Sequence, residues 1–173
     1  MSLRELAISK SELGSETDFS MDFESDDCFL QILGKKIDEL PEDHFIRPML
    51  PNEVSSIGEI HFLPNGRATD DSTKRTEALY VGINAMEEYL RKIETNPLIN
   101  YDFIYGRSDP HMASIARRIG FTTVDSSSFG SIIMYTTPTE IRRSLGKLKE
   151  EGIVDKIKNR YKKFYSNGGD DGN

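Results

Sequence analysis

The chain has one cysteine, no tryptophan and three histidines among its 173 residues. A single cysteine excludes an intramolecular disulfide. Cys28 also stands beside an acidic run that disfavours its thiolate, with no histidine near it in sequence, so it reads as a bland side chain rather than a nucleophile. His44 and His111 lie at no metal-ligand spacing from any Cys, Asp or Glu pair, which leaves a zinc site unsupported. No apolar run approaches the roughly 20 residues needed to span a bilayer. The opening MSLRELAISKSELGS lacks the apolar stretch and small-residue cleavage site of a secretory signal. These absences together predict a cytoplasmic protein with no metal and no membrane span. No internal repeat is visible.

The apolar fraction, 36%, is low, and the surplus polarity collects at the two ends. The length suits one hydrophobic core. Residues 1–27 hold one β-capable piece, Leu3 to Ile8, and then SELGSETDFSMDFESDD, which has too little apolar content to offset its ordering entropy. They are expected to form a mobile acidic arm. Residues 28–136 are expected to form the core, residues 137–165 a basic helical segment, and residues 166–173 a disordered tail. The net charge of −7 argues against nucleic acid as a partner, but it is polarised, with a basic cluster running from Arg142 to Lys163. That cluster suits an anionic ligand, an acidic carrier protein or the chain's own acidic arm.

Along the core, CFLQILGKKIDEL is open between helix and strand, and HFIRPML reads as a strand closed by Pro48 and Pro51. SIGEIHFL alternates, with Ile57, Glu59, His61 and Leu63 on one face and Ile60 and Phe62 on the other, up to the turn Pro64-Asn65-Gly66. It is predicted as a strand, the second arm of a hairpin with HFIRPML. From a cap at Asp71 or Ser72 the apolar period becomes helical, through Ala78, Leu79, Gly82, Ile83, Met86, Leu90 and Ile93, until Asn96-Pro97. YDFIYG is a buried strand by composition. In DPHMASIARRIG, Asp109 caps a helix, Pro110 takes its first position and Gly120 supplies the left-handed stop. FTTV and GSIIMYTT are two more strands. Thr137 to Phe164 forms one or two basic amphipathic helices, with interruptions expected near Gly146 and Gly152.

The order strand (58–63), long helix (72–95), strand (101–106), short helix (110–119) and strand pair (121–136) resembles the C-terminal half of the GNAT superfamily of acyltransferases. The best local match is SDPHMASIARRIGF, which looks like the fourth helix of those enzymes. The resemblance implies a mixed α/β fold: a mostly antiparallel central sheet, flanked by helices, with one parallel strand pair that splays apart. The strands at 58–63 and 101–106 should be that pair, leaving a cleft beside Phe62, Leu63 and Tyr105. Within the superfamily, GEIHFL and GRSDPHMASIARRIGF are similar to segments of the acyl-homoserine-lactone synthase branch and related acyl-carrier-dependent transferases. Glu59 matches that branch's strand glutamate. His61 and Phe62 depart from its Ser-Arg, and its N-terminal aromatic and Arg-rich pattern is missing.

By resemblance, then, the protein moves an acyl group from acetyl-CoA, another acyl-CoA or an acyl carrier protein to a small-molecule amine. The alternative is a catalytically silent module of the same fold that binds a ligand or protein. A weaker third reading takes the basic helices as a nucleic-acid-binding pair. In the enzyme reading Glu59 is the base, directly or through water, and His61 its partner or substitute; the alternatives are an exposed glutamate and a structural histidine. The family's usual tyrosine acid is replaced by Ala116, so Tyr80, Tyr105 or Tyr135 would stand in, and Tyr105 is the chosen candidate. The family's pyrophosphate loop at the start of the long helix corresponds to GRATDDSTKRTEA. There Gly66 and Arg67 match, Asp70 and Asp71 bring negative charge, and Lys74 and Arg75 can offset it. Arg107, with Arg117 and Arg118, is a further candidate for the phosphate or pantetheine arm. The cofactor-binding set expected is Phe62, Leu63, Gly66, Arg67, Lys74, Arg75 and Arg107.

Overall fold

A computed structural model describes residues 20–24, 28–64, 71–125 and 131–166. Its strands are β1 (Ser20–Glu24), β2 (Cys28–Lys35), β3 (Ile57–Pro64), β4 (Phe103–Ser108), β5 (Thr122–Asp125) and β6 (Ile132–Thr136). The helices are α1 (Asp71–Thr95), α2 (Pro110–Arg118), α3 (Pro138–Glu150) and α4 (Ile153–Ser166). The strands form one sheet in the order β1-β2-β3-β4-β6-β5. Every pairing is antiparallel except β3 with β4. This is the mixed, mostly antiparallel α/β sheet that the GNAT resemblance implies, with its single parallel pair where expected.

The alternation in β3 assigns the two sides of the sheet. Ile60, with Leu30, Ile32, Ile104 and Met134, faces α1 to α4 in the larger core, which includes Leu79, Ile83, Met86, Ile115, Ile141 and Val154. Ile57, Phe103, Tyr105 and Ile133 face the opposite side, where Leu40 and Ile46 of the β2–β3 connection cover them. A sheet with both faces buried needs such a second cover, because an exposed row of Ile and Phe would lose the burial free energy of about 25 cal/mol per Å².

Three expectations are corrected here. HFIRPML is not a strand: residues 36–56 form a connection with short 3-10 turns at Ile37–Glu39 and Arg47–Met49. Arg47 folds this connection on itself by donating hydrogen bonds to the carbonyls of Ile37, Leu40 and Pro41. The antiparallel neighbour of β3 is therefore β2, registered from Cys28↔Pro64 to Lys35↔Ile57, and not HFIRPML. CFLQILGKKIDEL divides into that strand and the first 3-10 turn. Second, the sheet begins inside the stretch assigned to the mobile arm, because β1 pairs with β2 from Ser20↔Leu33 to Glu24↔Phe29. An edge strand needs only backbone hydrogen bonds along a free edge, so low apolar content did not reveal it. Leu3 to Ile8 lies outside the described residues.

Third, Gly146 does not interrupt a helix, since α3 runs unbroken across it. The break falls at Gly152, whose φ of 70° ends the run. A Cβ placed on Gly146 would meet nothing within 4 Å. Gly146→Ala should therefore raise unfolding stability by about 0.5–1 kcal/mol through helix propensity alone, read as a higher urea midpoint at unchanged slope.

Candidate active site

Parallel pairing of β3 with β4 extends only from Ile57↔Phe103 to Glu59↔Tyr105. Beyond that pair the strands separate, so a fork opens toward their C-terminal ends. The closed end is fastened by Asp102, whose carboxylate accepts from Ser55 N, Ser55 Oγ and Ser56 N at 3.0, 2.8 and 3.1 Å. Ser56 Oγ accepts in return from Asp102 N at 3.1 Å. At the vertex stands Gly106, where a Cβ would come within 2.8 Å of Ile60 Cγ2 and 2.9 Å of the Ile60 carbonyl oxygen. A side chain there would push the fork apart at its root.

A cavity of about 720 Å³ occupies the fork. Its walls come from both sides of the sheet: Glu59, His61, Tyr105 and Arg107 from one, and Ile60, Phe62, Met112 and Met134 from the other. The cavity therefore passes between the strands. Its helix side is apolar, lined by Leu30, Met86, Ile115, Ile119 and Phe121 among others. Its other side is polar and is bordered by Leu40, His44 and Phe45 from the β2–β3 connection.

Glu59 is the centre of the polar side. Lys35 Nζ lies 3.1 Å from one carboxylate oxygen and His61 Nε2 lies 3.4 Å from the other. Burial pushes this carboxyl upward, but the contacts with His61 and Lys35 prevail and hold its pKa at about 2. The Tyr105 ring is fully buried and its hydroxyl lies in the field of Glu59, yet that hydroxyl makes no hydrogen bond of good geometry. Burial first and the neighbouring negative charge second raise its pKa, so the phenol keeps its proton and acts as a donor. Arg107 holds its guanidinium 4.1 Å above the Phe45 ring at the cavity rim.

The depressed Glu59 sets a pH dependence. A carboxyl whose folded pKa lies below its unfolded value of about 4.5 contributes stability that is present above that value and lost as pH falls toward 2. The contribution is about 3 kcal/mol. Urea unfolding at pH 7 and pH 3 should show this loss in the wild type, and Glu59→Gln should have a smaller difference between the two pH values.

Of the residues singled out in the sequence, Glu59, His61, Phe62, Tyr105 and Arg107 meet in the cavity. Leu63 lies on the diverging part of β3, and its side chain is not described. Gly66, Arg67 and Asp70 lie outside the described residues. Lys74 and Arg75 are exposed on the first turns of α1 and do not line the cavity. Tyr80 stacks on Tyr161 at 3.8 Å and Tyr135 on Phe103 at 5.2 Å, both away from the cavity, so Tyr105 is the phenol at the fork. Arg117 donates to Thr123 Oγ1, and His111 is exposed on α2. Sequence reasoning missed Lys35, at the end of β2, and His44 and Phe45, whose place depends on how the 36–56 connection docks. Only their residue types pointed to them.

Among the described residues no cluster of His, Cys, Asp and Glu is suited to a metal ion, and no helix is long and apolar enough to cross a membrane. No protein-family model and no curated protein sequence matches the chain. Among solved structures it is similar to FeeM, an N-acyl amino acid synthase from uncultured soil microbes, at 13% identity over 82% of this chain and 84% of that one, with a TM-score of 0.49. It is also similar to an uncharacterised protein from Bacillus halodurans, at 13% identity over 73% of this chain and 67% of that one, with a TM-score of 0.42.

Proposed function

We propose that the protein transfers an acyl group from a thioester, on CoA or an acyl carrier protein, to an amine. The observation that carries this reading is the cavity through the sheet, apolar on one side and lined by Glu59, His61 and Tyr105 on the other. Two reactants can enter such a passage from opposite faces and meet at the fork, which replaces a bimolecular encounter by a positioned one. The apolar side suits an acyl chain longer than acetyl. The local likeness of GEIHFL and SDPHMASIARRIGF to acyl-carrier-dependent transferases supports the same donor class.

The amine attacks the thioester carbonyl carbon, the C–N bond forms and the C–S bond then breaks. The attacking nitrogen gives its proton to His61, which Glu59 orients from 3.4 Å. Glu59, held by Lys35 at 3.1 Å and facing His61, is the orienting anion of the pair. Tyr105 donates a hydrogen bond to the departing sulfur, and the proton collected by His61 completes the free thiol. Amide and thiol are the products. The test supplies acyl-CoA and acyl carrier donors of several chain lengths with a panel of amines, and follows thiol release together with the mass of the amide. Amide formation supports the reading, and its absence with every donor rejects it.

The ion pair of Glu59 with Lys35 at 3.1 Å favours one alternative, a silent module in which the same cavity holds a ligand without chemistry. Binding of acyl-CoA or acyl carrier protein with no thiol release, at any amine tested, would select it.

A further inference from the structure

The polar wall of the cavity contains a histidine to which the residue pattern assigned no role. His44 belongs to the connection between β2 and β3, and its Nδ1 accepts a hydrogen bond from Ile46 N at 3.3 Å. An imidazole nitrogen that accepts cannot carry the proton, so the neutral ring is the Nε2–H tautomer. Ile46 is fully buried and anchors this contact in the second core. The ring is stacked on Phe45 at 4.5 Å and meets the edge of Tyr105 at 5.8 Å, which sets its plane. No described residue accepts a hydrogen bond from Nε2.

We propose that His44 is a neutral hydrogen-bond donor whose Nε2–H receives an oxygen of the bound substrate, the carbonyl oxygen of the acyl group on the acyltransferase reading. A second observation points the same way: the Tyr105 hydroxyl, beside Glu59 on the same wall, keeps its proton and offers a second O–H there. His44 lines the cavity and its Nε2–H is held by no described residue, so this donor is open to an acceptor that arrives with the ligand. The donor is also kept neutral. Burial lowers the His44 pKa, the nearby Glu59 opposes this, and Arg107, Lys35 and Arg47 lower it further. A neutral donor adds no fixed charge beside the Glu59 and His61 pair, yet strengthens its bond as negative charge grows on the carbonyl oxygen during attack.

The assignment rests on the acyltransferase reading only for the name of the oxygen, and octanamide separates the two. It has an apolar chain for the helix side and a neutral carbonyl for the wall, and its binding needs no catalysis. On the full chain labelled with 15N-histidine, His44 is expected to show the Nε2–H tautomer at pH 7, and octanamide should shift that nitrogen. His44→Phe keeps the stacked ring and removes the donor, and should weaken octanamide binding about tenfold, the usual effect of one hydrogen bond. His44→Gln restores an N–H donor and should bind within about threefold of wild type on the same scale. An Nδ1–H tautomer, a charged ring at pH 7, octanamide binding by His44→Phe as tight as by wild type, or none by wild type would each overturn the proposal. Binding that depends on His44 with no turnover of any thioester would leave the donor standing and reject the acyltransferase. Turnover by His44→Phe at the wild-type rate would do the reverse.

Discussion

Glu59→Gln is expected to lower acyl transfer by about 100-fold, within the range for losing one partner of a general-base pair. The amide keeps the shape of the side chain and removes the charge that faces His61 at 3.4 Å and Lys35 at 3.1 Å. His61 then loses the anion that orients it and stabilises its charged form after proton transfer. Because Glu59 acts through His61, the two substitutions should not add: His61→Ala alone and the double variant should fall to the same residual rate. Independent, multiplying losses would instead mean that Glu59 takes the proton directly or through water. The same change should also reduce stability at pH 7, by about 2 kcal/mol, because Lys35 is largely buried and would lose its partner. Turnover by Glu59→Gln equal to wild type would remove the carboxylate from the mechanism.

Gly106→Ala is expected to damage fold and site together. The added methyl would lie 2.8 Å from Ile60 Cγ2, 2.9 Å from the Ile60 carbonyl oxygen and 3.2 Å from Met134 Cε. The methionine can swing aside, but the carbonyl oxygen belongs to the backbone of β3 and cannot move without the strand. Relief requires β3 to shift away from β4 where their ladder ends, at Glu59↔Tyr105. Overpacking of this kind costs about 1–3 kcal/mol. The shift also displaces Glu59 and His61 from Tyr105, so ligand binding should fall by more than the loss of stability accounts for. Urea unfolding and octanamide binding measured on the same sample separate the two effects. A variant as stable as wild type would mean that the fork adjusts freely at Gly106 and is not set by close backbone approach.

The parts legible in the sequence are those specified by neighbours a few residues away. Asp109 accepts from Met112 N at 2.9 Å, Pro110 opens α2 and Gly120 follows it with a φ of 105°, as the spacing predicted. The alternation of β3 distributed Glu59 and His61 to one side and Ile60 and Phe62 to the other before any pairing was known. The long apolar period of α1 and the crossover from β3 to β4 made a parallel pair the expected solution. Gly146 shows the limit of this local reading, because an isolated glycine weakens a helix without ending it when packing on either side holds the turns together.

By itself, then, the sequence determined the element order from β3 onward and the shared face of Glu59 and His61, which follow from periodicities and end signals within single segments, while the parallel fork followed from the crossover and the family resemblance. Tertiary structure alone decided that β2 rather than HFIRPML pairs with β3, that β1 extends the sheet, that Lys35 pairs with Glu59, and that His44 joins the cavity wall. The physical reason is common to all four. Each depends on which distant backbone edge or buried face a segment meets, as when Arg47 gathers three carbonyls and seats Ile46 under the sheet, and the free energy of such contacts is absent from any window of the chain read alone.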